Sequence, residues 1–178
     1  MKLLIKKGLL AWKIIDESGA IVAKISNKKF FGASKKITDV KGNTVFTTDI
    51  VNLPANTESW NCTESRRYIV YRDEQIVATA TFTYSKNPER TKTQAFTLRP
   101  PQVDNMDIDT PYGEWKIQRQ KNNGIVIIQD EKTIGTITPF FSFKRMYLEH
   151  NGKYEATFWA GIYMLIEYMM HEDELIVV

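Results

Sequence analysis

Near its C-terminal end the chain reads FWAGIYMLIEYMM from Phe158 to Met170, and no helical or strand period gives this segment a polar face. Positions 158, 162, 165 and 169 are Phe, Ile, Leu and Met, and positions 159, 163, 166 and 170 are Trp, Tyr, Ile and Met. A helix that is apolar all round is either enclosed by protein or dissolved in lipid. Length decides between the two. About fifteen residues rise roughly 23 Å, whereas a bilayer core asks for about 20 residues. Glu167 sits inside the stretch, where a charge at mid-bilayer costs about 3 kcal/mol. The expectation is therefore a buried helix with no transmembrane span.

Such a helix needs a container. The remainder of the chain supplies short runs of alternating apolar and polar residues, the signature of antiparallel strands with one wet face. In EWKIQRQ, Trp115 and Ile117 point one way and Lys116 and Gln118 the other. Expected strands are Leu3–Lys6, Trp12–Asp16, Ile21–Ile25, Lys36–Asp39, Thr44–Val51, Arg67–Tyr71, Ile76–Thr83, Gln94–Leu98, Glu114–Arg119, Ile125–Gln129, Thr133–Phe140 and Arg145–His150. Two turns share Asp-x-x-Gly, at Asp16–Gly19 and Asp39–Gly42. There glycine supplies the positive φ and the Asp side chain can close the turn on backbone N–H groups. Further turns are expected at Arg72–Gln75, Asp130–Lys132, Lys121–Gly124 and Asn151–Gly152. About twelve strands tilted by about 40° close into a barrel of roughly 12 Å backbone radius, wide enough for a helix of about 5–6 Å radius, whereas eight strands are not. The fold class expected is mainly β: a closed, roughly twelve-stranded antiparallel barrel around a central hydrophobic C-terminal helix. Small residues at Ala160 and Gly161 would let a bulky inward side chain approach that helix. Residues 1–178 read as one domain with two similar strand-rich halves, about 1–98 and 113–178, joined by a proline-bounded acidic linker at 99–112.

These strand-turn-strand units, YIVYRDEQIVATATF and then GEWKIQRQ with GIVIIQDEKTIGTI, followed by a late hydrophobic helix, resemble the tubby C-terminal-like superfamily. Within it the small LURP-one-related and bacterial tubby-like proteins are the most similar in size and order. The resemblance covers most of the chain and lies in spacing and order, with no invariant motif. It implies a twelve-stranded barrel of two similar halves around a central helix. It also implies a binding role, since tubby proteins hold phosphoinositide headgroups through surface lysine and arginine and the related scramblases act at membranes. The chain departs from the scramblases in lacking a cysteine-rich palmitoylation segment and an evident calcium loop.

Charge points the same way. Net charge is only +3, but residues 1–41 hold ten lysines against three acidic residues. A basic sector suits an anionic surface; lysines on strand edges also deter aggregation. Lys28, Lys29, Lys35 and Lys36 flank Phe30 and Phe31, and Lys6 and Lys7 form another pair. Basic residues around aromatics suit a membrane interface. They also suit single-stranded nucleic acid, although nucleic acid is not the expected partner; both rings facing the core, with the lysines in water, is the plainer alternative. The expected role is a non-enzymatic module binding anionic phospholipid headgroups or a membrane surface through these six lysines, with a regulatory protein-interaction domain as the alternative.

No catalytic or metal motif is present. The two histidines, His150 and His171, are far apart, and the single cysteine, Cys62, rules out an internal disulfide. There is no phosphate-binding glycine loop and no nucleophile elbow, so no cofactor is expected. Glu167 and His171 lie four apart on one helix face. They read either as an acid–base pair at a barrel mouth or, preferably, as the place where the helix regains solvent. The lysine-interrupted N-terminus lacks a cleavage site, and the location expected is cytoplasmic, peripheral to membrane. The sequence leaves oligomeric state open.

Overall fold

The computed structural model describes residues 1–29, 33–52, 66–84, 103–120, 124–139 and 145–171. Twelve strands run in chain order among them: β1 (Lys2–Lys6), β2 (Ala11–Ile15), β3 (Ile21–Asn27), β4 (Lys35–Thr38), β5 (Thr44–Asn52), β6 (Arg66–Arg72), β7 (Gln75–Tyr84), β8 (Val103–Thr110), β9 (Gly113–Arg119), β10 (Ile125–Gln129), β11 (Lys132–Pro139) and β12 (Arg145–His150). The helix α1 (Ala156–Met170) follows them. Each strand pairs with its sequence neighbours, and β1 pairs with β12 to close the barrel. Every pairing is antiparallel. Closure leaves no edge strand among the described residues to template aggregation.

All but one of the expected strands fall within a residue or two of their observed bounds. The exception, Gln94–Leu98, lies outside the described residues. The linker expected at 99–112 instead contains β8, which sits in the wall between β7 and β9. Its Met106, Ile108 and Thr110 are buried while Asn105, Asp107 and Asp109 face out. Aspartate disfavours strands by propensity. Here each outward Asp sits at a solvated position, so pairing on both sides overrides the local preference. The turn residues 121–123 also lie outside the described residues, as do Phe30, Phe31 and Cys62.

The short turns take the expected forms. Asp16 Oδ1 accepts from the Ser18 and Ala20 N–H groups, both at 2.9 Å, and Asp39 Oδ1 accepts from Lys41 and Asn43 at the same distance. Gly19 and Gly42 take φ of 86° and 87°. Asp73-Glu74 and Asp130-Glu131 form two-residue turns with both φ positive, the type whose twist matches a hairpin.

Every residue of α1 from Thr157 to Met169 is buried, which is why the segment tolerates no polar stripe. The helix packs against β3, β4, β5, β6 and β8. Its first turns carry the bulk: Phe158 meets the Trp115 ring edge-on at 5.8 Å, and Trp159 lies 5.2 Å from Trp115. Small residues make room for this bulk. A Cβ on Gly135 would fall 3.3 Å from Trp159 Cη2, and one on Gly161 would fall 3.3 Å from Val70 Cγ1. Burial of Phe158, Trp159, Ile162, Leu165 and Ile166 contributes about 2 kcal/mol apiece.

Candidate functional site

Because neighbouring strands alternate in direction, the barrel has two unlike ends. The turn end carries the tight turns around Gly19, Gly42, Asp73, Tyr112 and Asp130, and α1 enters there after β12. At the opposite end, the mouth, the odd-numbered strands finish and the even-numbered ones begin. The helix terminates at the mouth, since Lys7, just past β1, bonds Glu167. The residues expected to bind an anion cluster at this end.

Pleating divides them. Successive side chains on a strand face opposite ways, so adjacent lysines separate into two sets. Lys6 and Lys36 are exposed on the outer wall, whereas Lys7 and Lys35 are half-buried and turn into the mouth. Lys28 and Lys29 are exposed just beyond β3, where the Lys28 N–H bonds the Ser34 carbonyl at 3.0 Å.

The inward pair meets the helix end. Lys7 Nζ donates to Glu167 Oε1, His171 Nε2 lies 3.1 Å from the same oxygen, and the Tyr163 hydroxyl donates to Oε2 at 3.0 Å. The Glu167 side chain is 10% exposed and that of Lys7 17%. Burial alone would raise the Glu167 carboxyl; the hydrogen bonds and charges of His171 and Lys7 outweigh it and hold the group below the usual range. Tyr163 is pushed well up by burial and by the Glu167 charge. Lys35 is lowered by burial, which the attraction of Glu167 partly opposes, and its Nζ donates to Asn27 Oδ1 at 2.7 Å. Beside this cluster the Tyr168 hydroxyl donates to the Ala33 carbonyl at 2.7 Å and so accepts from Thr48 Oγ1 at 2.8 Å. Burial pushes Tyr168 up to about 12. Glu167 thus does not mark a return to solvent; it is the buried acceptor of a polar plug, and Lys7 is spent on it.

The outer wall carries a feature that sequence reading does not reach. In the observed register Lys24 stands opposite Lys13, Lys13 opposite Lys6, and Lys6 opposite Arg145. All four are exposed, and none forms an ion pair with another described residue. Strands about 4.8 Å apart make this a row of four cations roughly 14 Å long. Lys36 is diagonal to it, two positions from the Thr38 that faces Lys24. Like charges directly opposite one another destabilise a sheet. On the far wall the exposed Asp109 faces Glu114, and next to them Asp107 faces Lys116.

No family model and no curated protein matches the chain. Among solved structures, the X-ray structure of a protein from Arabidopsis thaliana is similar, with a TM-score of 0.59 at 10% identity, covering 93% of this chain and 88% of that one. Likeness at that identity speaks for the fold, and the barrel with its central helix is the architecture expected from the tubby-like resemblance. No helix among the described residues is long and apolar enough to cross a membrane.

Proposed function

We propose that this chain is a non-catalytic binding module of the tubby-like type that docks on an anionic phospholipid surface. The row Lys24–Lys13–Lys6–Arg145 carries the reading. Four like charges set side by side work against the fold, and an external anion relieves them. Each cation near an anionic leaflet contributes about 1 kcal/mol of attraction. Lys28, Lys29 and Lys36 extend the basic area toward the mouth, while Lys7 and Lys35 serve the interior.

The test is co-sedimentation with phosphatidylcholine vesicles, with and without phosphatidylserine. Wild type should pellet with the anionic vesicles, and Lys6→Glu/Lys13→Glu/Lys24→Glu should not. Equal pelleting with both vesicle types, or no effect of charge reversal, overturns the reading. The acidic pair Asp109 and Glu114 favours a second reading, a regulatory protein-interaction domain whose two walls meet different partners. Pull-down on wild-type and Asp109→Lys/Glu114→Lys protein tests it; identical captured sets sink it.

A further inference from the structure

The β1–β2 loop lies at the mouth just beyond the row, because Lys6 and Lys13 are the last paired residues below it. Its tip carries Leu9 and Leu10, exposed to 101% and 87%, the two most exposed of the large apolar side chains among the described residues. Single exposed leucines are ordinary; two in succession just beyond a row of cations are not.

The loop is tied at its base. Lys7 is bound to Glu167 and lies 5.0 Å from the Trp12 ring, which meets Tyr163 edge-on at 6.1 Å. A Cβ on Gly8 would come within 2.5 Å of the Ala11 carbonyl oxygen, so the backbone closes on itself there as only glycine allows. Both ends of the loop are thereby fastened to the barrel and the helix end, and the leucines are held outward.

We propose that Leu9 and Leu10 form an insertion tip whose occupant is the acyl boundary of an anionic bilayer; this rests on the docking reading above. The dimensions agree. Leu9 lies three residue steps beyond Lys6, a reach of at most about 10 Å, and interfacial apolar groups enter a bilayer to about 5–10 Å. With the leucines at that depth, Lys6 and Lys13 lie level with the lipid phosphates. A soluble polyanion would account for the row but would leave the apolar tip in water.

The experiment compares wild type with Leu9→Ser/Leu10→Ser on phosphatidylcholine–phosphatidylserine vesicles at low and high salt. A second arm labels Leu10→Cys, in a Cys62→Ser background, with an environment-sensitive fluorophore and uses acyl-chain quenchers. The serine variant should lose about tenfold or more in partitioning, and the label should be quenched from the acyl region. Wild type should keep some binding at high salt. If both proteins pellet equally with anionic vesicles and the label stays in water, insertion is overturned and charge-driven docking stands. If wild type pellets equally with neutral and anionic vesicles but depends on the leucines, insertion stands and the electrostatic reading falls. No pelleting of wild type overturns both.

Discussion

Replacing Glu167 tests the polar plug most directly. The carboxylate takes hydrogen bonds from Lys7, His171 and Tyr163 in a site where its side chain and that of Lys7 are 10% and 17% exposed. Breaking a buried pair on one side strands the remaining charge and costs about 3–5 kcal/mol, whereas replacing both partners with apolar groups is often neutral. Glu167→Leu should therefore lose about 3–5 kcal/mol in urea unfolding followed by tryptophan fluorescence. The combination Lys7→Met/Tyr163→Phe/Glu167→Leu removes the stranded ammonium and hydroxyl together and should recover most of that loss. The pH dependence has a definite sign. The Glu167 carboxyl is held below its ordinary 4.5 in the folded state. Its contribution is thus complete above the unfolded value and fades as pH falls through the folded one. Wild type should weaken across that acid range, and Glu167→Gln should show a shallower decline. A loss of under about 1 kcal/mol for Glu167→Leu, against the cost cited for a broken buried pair, would refute the reasoning.

Two further outcomes follow from the wall. Gly135→Val would drive a branched side chain into the Glu149 carbonyl oxygen, Ile127 and Trp159, which a single Cβ already approaches to 3.2–3.3 Å; overpacking of this kind costs about 1–3 kcal/mol, read as a lower urea midpoint. Lys13→Gln removes the cation flanked by Lys24 and Lys6 and should stabilise the fold by a few tenths of a kcal/mol, raising the thermal midpoint while weakening anionic vesicle binding.

The helix and most of the wall were legible because their signals are local. A segment with no polar face must be enclosed, and an Asp-x-x-Gly turn announces itself within four residues. Strand β8 was harder to read: its Met106-Asp107-Ile108-Asp109-Thr110 alternation was present, but prolines and aspartates on either side favoured a loop. The candidate site was legible only in part. An excess of N-terminal lysines showed in the composition, yet which of them share a surface is set by register. Arg145 reaches Lys6 only through the β1–β12 seam, a pairing that no local pattern specifies. The plug was missed because a glutamate four residues before a histidine, near a helix end, looks like ordinary solvation until Lys7 is folded back onto it. The exposure of Leu9 and Leu10 is likewise a property of the closed loop, not of the letters.

The seam and the enclosed helix also bear on synthesis. All twelve strands leave the ribosome before α1 does, yet the cavity that they line is filled by α1 itself. A nascent chain can build hairpins from its first half early, but it has nothing to wrap around until the final turns of the helix emerge. Until then β1 is an unprotected border waiting for β12. The interval between the synthesis of β1 and that of β12, roughly 7–28 s at ordinary translation speeds of about 5–20 residues per second, is when that border lacks its partner.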